Sequence, residues 1–172
     1  NVTDKIIPVW HKGRGIDEFK KMCHETRGDI VAVTGFRNED IMDNQYAAFL
    51  KYAWKCGKKL HCLGMTRTKV LKKIPFDLVD SSSWKQAAVY GSVAYFKNNR
   101  VAVKHVKGRF TTTELQFYSL RAYMQLAEYY NAKWSKINHD LYIARRFVIS
   151  RLIKLRRFWH EDYHCFKSSV GF

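Results

Sequence analysis

The sequence predicts an α/β fold with a parallel sheet, followed by a β-hairpin and a basic two-helix module, and three observations lead there. Short apolar runs over residues 6–11, 30–36, 60–65 and 76–81 each end in small or polar residues, as strands buried on both faces do. Stretches with helical spacing separate these runs, and strands alternating with helices imply parallel neighbours, because a parallel pair cannot be closed by a tight turn. Beyond residue 91 the pattern changes to one alternating hairpin and two long amphipathic stretches.

Residues 6–11, IIPVWH, are the first expected strand, and the Lys12-Gly13-Arg14-Gly15 that follows reads as flexible. Ile16, Phe19, Lys20 and Cys23 recur at helical spacing, with Gly28 where a C-cap is expected. Residues 30–36, IVAVTGF, repeat the strand pattern; Tyr46, Phe49, Leu50, Ala53 and Trp54 then mark an amphipathic helix stopped by Gly57. The run LHCLGM is the third strand, residues 66–73 a shorter helix, and residues 76–81 a fourth strand, read as buried and as delivering Asp80 and Ser81 to its end. Residues 84–90 are either the start of a helix or a loop anchored by Trp84 and Tyr90.

In residues 92–106, SVAYF and RVAVKHV alternate around Lys97-Asn98-Asn99, residues that tolerate a left-handed turn. Thr111-x-x-Glu114 is a capping box opening a long helix with Leu115, Tyr118, Ala122, Leu126 and Tyr129 on one face. Asp140 is placed to cap a second helix over 140–159, whose apolar stripe is Ala144, Val148, Leu152, Leu155 and Trp159. Its other faces hold Arg145, Arg146, Arg151, Lys154, Arg156 and Arg157. Basic residues interleaved with Trp and Tyr suit phosphate contact and base stacking. The expected division is therefore 1–91, the strand-helix unit, and 92–172, a basic extension that binds nucleic acid.

Charge is concentrated in the second part: residues 97–172 hold 15 basic and 5 acidic residues, a net of +10, against +6 for residues 1–96. Lys and Arg outnumber Asp and Glu by 31 to 15, a net charge of +16 in 172 residues, which points first to a polyanion, most simply DNA or RNA. Four cysteines, Cys23, Cys56, Cys62 and Cys165, form no CxxC pair, so neither a zinc ribbon nor a disulfide framework is indicated, and reduced thiols in a cytoplasm fit best. No apolar run approaches the roughly 20 residues of a membrane span, and no signal peptide opens the chain. No membrane partner and no cofactor are expected.

Parallel sheets, open or closed into (β/α)8 barrels, bind ligands at the C-terminal ends of their strands. Here those ends carry His11, Thr34-Gly35-Phe36, Gly64-Met65-Thr66 and Asp80 to Ser83. His61 reads as a core residue. On residue chemistry alone, Asp80 is either a ligand-facing carboxylate or, with Ser81 to Ser83, the cap of the next helix.

The segment DLVDSSSW resembles the DLFDSASY-type segment of the tRNA-guanine transglycosylase (queuine tRNA-ribosyltransferase) superfamily. The run HCLGM is similar to the preceding family strand, Thr34-Gly35-Phe36 matches the family's turn against the heterocycle, and PVWHKG with HCLGMT and VDSSSW looks most like the phage and bacterial branch that inserts deazaguanines into DNA. The resemblance spans roughly residues 6–105 and implies the C-terminal half of a (β/α)8 TIM-type barrel, followed by the hairpin and the basic module. It implies Asp80 as the nucleophile and Asp77 as the non-nucleophilic acid of that strand. Thr34, Gly35, Phe36, Leu63, Gly64, Met65 and His11 would contact the base. The implied setting is the cytoplasm of a bacterium or a phage-infected host.

Base exchange needs a carboxylate that attacks C1′ and holds a covalent sugar intermediate while a guanine leaves and a deazaguanine enters. The family's first barrel half and its second catalytic aspartate have no counterpart before Ile6, and its CxCxxC zinc site is absent. The resemblance then implies a fragment, one half of a split enzyme or a degenerate descendant, with a second chain or copy completing the barrel. The rival expectation is a non-catalytic nucleic-acid-binding or assembly protein on a half-barrel scaffold. A weaker one is a zinc hydrolase: His160-Glu161-Asp162-Tyr163-His164 satisfies HExxH, but no obvious third ligand follows, and no metal is expected.

Overall fold

The computed structural model describes residues 6–35 and 40–137. The expected helix over 140–159, its cap Asp140 and the HExxH pattern lie outside the described residues. The architecture is mixed α/β with a four-stranded parallel sheet. Two compact units are formed: the first contains the described residues up to Leu63 with Phe76–Leu78, and the second Gly64–Pro75 with Val79–Lys136.

In the sheet, β1 (Val9–Trp10), β2 (Ile30–Thr34), β3 (Lys59–Leu63) and β4 (Leu78–Val79) lie in the order β1-β2-β3-β4. Trp10 pairs with Val33, and β2 pairs with β3 along its whole length from Ile30–Lys59 to Thr34–Leu63. Helix α1 (Gly15–Glu25) buries Ile16, Phe19 and Cys23, and α2 (Tyr46–Lys55) buries Tyr46, Phe49, Leu50, Ala53 and Trp54, the stripes that the helical spacing predicts. The rings of Trp10, Phe19 and Phe49 close on one another, with centroids 4.9 Å apart for Trp10–Phe49 and 4.7 Å for Phe19–Phe49. The Phe19–Phe49 pair meets edge to face and the Trp10–Phe49 pair is tilted, contacts that add to the area buried.

Helix α2 ends as its sequence dictates. Gly57 sits at φ 71°, its N–H meets Trp54 O, and the Lys58 N–H reaches back to Ala53 O at 2.8 Å, the paired bonds of a Schellman motif. The Lys58 ammonium then takes the carbonyls of Thr26 and Gly28 at 2.7 and 2.8 Å. That pairing satisfies the turn after α1, which stops at Glu25 with Thr26 as its cap rather than at Gly28, because the Thr26 hydroxyl bonds Met22 O. Lys12–Arg14, expected to be flexible, is a 3-10 turn.

The fourth strand departs from expectation. It is only two residues long, and Leu78 and Val79 are 38% and 44% exposed, so it is not the buried strand that its apolar letters suggest. It stands last in the strand order with β3 as its neighbour, and an edge position leaves one flank open.

In the second unit, α3 (Thr68–Leu71) and α4 (Ser83–Val89) precede the hairpin β5 (Ser92–Lys97) and β6 (Arg100–His105). Asn98 and Asn99 take φ 53° and 60°, the two left-handed residues of a type I′ turn. Helix α5 (Thr112–Trp134) opens with the expected capping box: the Glu114 N–H donates to Thr111 Oγ1 at 3.2 Å, and the Thr111 N–H to Glu114 Oε2 at 2.7 Å. Its buried face is Leu115, Ser119, Ala122, Leu126 and Tyr130, rotated from the expected one. Tyr118 points to solvent because Ser119 is needed inside, where its Oγ accepts the Ala94 N–H at 3.0 Å.

Candidate functional site

Two carboxylates flank β4, and they do different work. Asp77 Oδ2 accepts the Trp54 indole N–H at 2.7 Å and the Leu60 backbone N–H at 2.8 Å, so this acid ties its segment to α2 and to the start of β3. Asp80, just past β4, is exposed, and its Oδ1 accepts the Gly64 backbone N–H at 2.9 Å. Gly64 can present that N–H because it turns the chain at φ 70°, a conformation side chains beyond Cα disfavour.

The N-cap of α4 is Ser82, with no side-chain cap bond of its own, and Ser81 Oγ accepts the Ser83 N–H at 3.1 Å while donating to the Ser83 hydroxyl at 2.9 Å. The Ser83 N–H at the start of α4 is thus met by Ser81, while the Asp80 carboxylate accepts the Gly64 N–H.

The remaining expected residues are distributed along the strand ends. Thr34 closes β2, and its carbonyl accepts the Tyr46 hydroxyl at 3.2 Å. Gly35 is buried, with its N–H on Leu63 O at 2.6 Å. His11 is exposed one residue beyond the Trp10–Val33 pair. Met65 is 1% exposed, so its side chain is packed in the core of its own unit. His61 is half-buried on β3. Phe36 and the basic set Arg145, Arg146, Arg151, Lys154, Arg156 and Arg157 lie outside the described residues, as do His160, Glu161 and His164.

A second polar cluster lies between α1 and α2. His24 Nε2 is 3.1 Å from the Tyr52 hydroxyl and 3.8 Å from Cys56 Sγ. Burial pushes the Cys23 thiol up to about 12 and raises that of Cys56 as well, so neither is a thiolate near neutrality and neither suits nucleophilic catalysis. Among the described residues, no group of three or more His, Cys, Asp or Glu is placed to hold a metal ion. No described helix is long and apolar enough to cross a membrane.

Sequence reasoning missed Asp77 as a tie between elements, and the signal was there: an acid set inside an apolar strand needs donors. It also missed Lys133 and Trp134, whose Nζ and Nε1 reach Lys72 O at 2.7 Å and Leu71 O at 3.1 Å and satisfy the end of α3. No protein-family model, no curated protein and no solved structure matches the chain.

Proposed function

We propose that the chain is the C-terminal half of a (β/α)8 barrel of the tRNA-guanine transglycosylase type, exchanging guanine for a deazaguanine in DNA or tRNA with Asp80 as nucleophile. The observation that carries this reading is the exposed Asp80 carboxylate at the end of β4, oriented by the backbone N–H of Gly64, with the N-cap of α4 falling on Ser82. The unbroken order β1-β2-β3-β4 supports an arc of a barrel, since doubly wound open sheets reverse their order at a switch point.

In the reaction, Asp80 attacks C1′ as the glycosidic electron pair leaves with the outgoing guanine, which takes up a proton. A ring nitrogen of the incoming base then attacks C1′, loses its proton and releases the carboxylate. The exchange is isoenergetic in bond type and needs no oxidant. Half a barrel leaves sheet edges with unpaired backbone groups, so a second copy or another chain completes it and brings the second carboxylate.

The test is exchange of labelled guanine or deazaguanine into DNA and tRNA by the chain with its completing partner. Asp80→Asn is expected to abolish exchange, because the amide keeps the shape but is a far poorer nucleophile. Exchange that survives removes Asp80 from the reaction. The second reading is a nucleic-acid-binding or assembly protein without catalysis. It is favoured by the exposed aromatic surface of the second unit, where Phe117 is 69% exposed, and it gains if no pairing gives exchange.

A further inference from the structure

The hairpin has two faces of opposite character. Side chains alternate along a strand, and residues opposite one another in the register share a face. Ala94 and Phe96 turn toward α5: Ala94 is buried, and the Phe96 ring lies 6.2 Å from that of Tyr129. The other face therefore holds Val93 opposite Lys104, Tyr95 opposite Ala102, and Lys97 opposite Arg100. Tyr95, Lys97, Arg100 and Lys104 are all exposed. The Lys104 ammonium stands 5.7 Å from the centre of the Tyr95 ring, and no salt bridge among the described residues neutralises any of the three cations.

The surrounding sequence carries no counter-charge. Between Asp80 and Glu114 there is no acidic residue, while Lys85, Lys97, Arg100, Lys104, Lys107 and Arg109 are all basic. Lys107 and Arg109, exposed beyond β6, extend the cationic strip away from the turn. Arg100 and Lys104 stand about 13 Å apart along β6 at the rise of an extended strand. One phosphate or one carboxylate cannot span that distance, whereas a run of phosphates can. Between the cations lies an aromatic ring, the platform on which an unpaired base stacks.

We propose that this outer face of the hairpin is a nucleic-acid docking surface: Lys97, Arg100 and Lys104 track the phosphates of a single strand, and Tyr95 stacks an unpaired base. The surface goes beyond the exchange reading and does not need Asp80. It also differs from the basic residues over 145–157 to which the sequence assigns nucleic-acid contact.

The experiment measures the anisotropy of a labelled, mixed-sequence single-stranded oligonucleotide, as DNA and as RNA, with the full chain between roughly 50 and 200 mM KCl. Changing Lys97, Arg100 and Lys104 together to Gln is expected to make the slope of log affinity against log salt shallower by about 2, at ~0.7 per phosphate contact for single strands. Tyr95→Ala is expected to weaken binding roughly tenfold with the slope unchanged, and Tyr95→Phe to restore it. A control with the same charge change on the exposed Arg14, Lys21 and Lys55 should leave the slope near that of the parent. All these side chains are exposed or half-buried at the surface, and far-ultraviolet circular dichroism checks that each variant is folded.

Equal losses in the hairpin and control variants, or an unaltered slope in the hairpin variant, would overturn the proposal. So would tight binding to phosphatidylserine–phosphatidylcholine vesicles without oligonucleotide binding, which would make the face a membrane surface. Asp80→Asn is expected to bind as the parent does, so loss of exchange and loss of docking are read separately.

Discussion

The two compact units bury different things. In the first, the side chains that vanish from solvent are large: Trp10, Phe19, Ile41, Tyr46, Phe49, Leu50 and Leu60 are each at 2% exposure or less. In the second unit, Met65 and Val70 are buried, but from α4 onward the best-buried residues are small or polar, Ala88, Ala94, Ser119 and Ala122, while Tyr95, Val103, Phe110, Phe117, Tyr118 and Met124 stay exposed. Hydrophobic stabilisation follows apolar area removed from water, so the first unit is held by packing. The second, from α4 onward, relies more on local hydrogen bonds and turn chemistry, and there it leaves several large side chains where a partner can reach them.

Core truncation is the strongest way to break this comparison. Phe19→Ala removes a ring in edge contact with Phe49 and at 0% exposure and should cost about 3–5 kcal/mol, read from the urea midpoint. Phe117→Ala, the same chemical change on α5, should stay within about 0.5 kcal/mol. Comparable losses would mean that Phe117 is covered and that the contrast between the units is false.

Next in size is Asp77. Its one carboxylate oxygen serves both Trp54 and Leu60, so Asp77→Ala leaves two donors without their acceptor and should cost about 2–3 kcal/mol in thermal or urea unfolding, at ~1–3 kcal/mol for each fully buried group and less where water can enter. Asp77→Asn should cost less, since the amide oxygen can still accept both. An Asn variant as damaged as the Ala variant would show that charge, rather than hydrogen bonding, holds this tie.

These positions also show how far the letters reach. The strand-helix alternation, the Asn98-Asn99 turn, the Thr111–Glu114 box and the α1 and α2 stripes were legible because each follows from local spacing or from one residue's backbone preference. The exposure of β4 was not legible: Leu78 and Val79 read as core, but a strand's burial depends on what lies beside it, which spacing does not encode. The register of α5 failed for a related reason. Tyr118 and Ser119 are adjacent on the helix, and hydrophobicity chose the tyrosine, whereas the Ala94 N–H at the hairpin needed the hydroxyl. At the site, the glycine and the acid were both read, yet the bond between Gly64 and Asp80, and the contrasting duty of Asp77, emerged only with the pairing of elements distant in sequence.

Ser119→Ala tests whether the second unit relies on that single polar bond. Ser119 is fully buried, and its removal leaves the Ala94 N–H unsatisfied, so a loss of about 1–2 kcal/mol is expected. Hydrogen exchange at the Ala94 amide should quicken with it. An Ala variant as stable as the parent would mean that helix propensity offsets the lost bond.

The capping box is smaller again. Thr111→Ala should cost about 1 kcal/mol near neutrality. The backbone N–H of Thr111, and then its hydroxyl, hold the Glu114 carboxyl below its ordinary value of 4.5. A lowered value means that this contribution is present above the unfolded value and is lost as pH falls through the folded one. The stability difference between parent and Thr111→Ala should therefore be constant from pH 8 down to about 5 and shrink below about 4, followed by urea unfolding across that range. A difference that grows in acid would reverse the assigned sign.

The smallest structural effect is expected at the residue proposed to matter most. Asp80 is exposed, and the amide oxygen of Asp80→Asn can take the Gly64 N–H in place of the carboxylate oxygen, so stability should move by no more than about 0.5 kcal/mol. Asp80→Ala removes the acceptor altogether, but the Gly64 N–H at this exposed bond can turn to water, so the loss of that bond should cost about its net value, ~1 kcal/mol. The contrast with Asp77 is the point of the measurement: two aspartates three residues apart in sequence, one tying elements of the first unit together and one expected to be dispensable to the second. If Asp80→Asn unfolds the chain as Asp77→Ala does, Asp80 is a structural acid, and its loss of exchange would say nothing about nucleophilic attack. If the fold is indifferent to it, the exposed carboxylate that accepts the Gly64 N–H at the end of β4 is not required for stability, and the exchange assay becomes decisive.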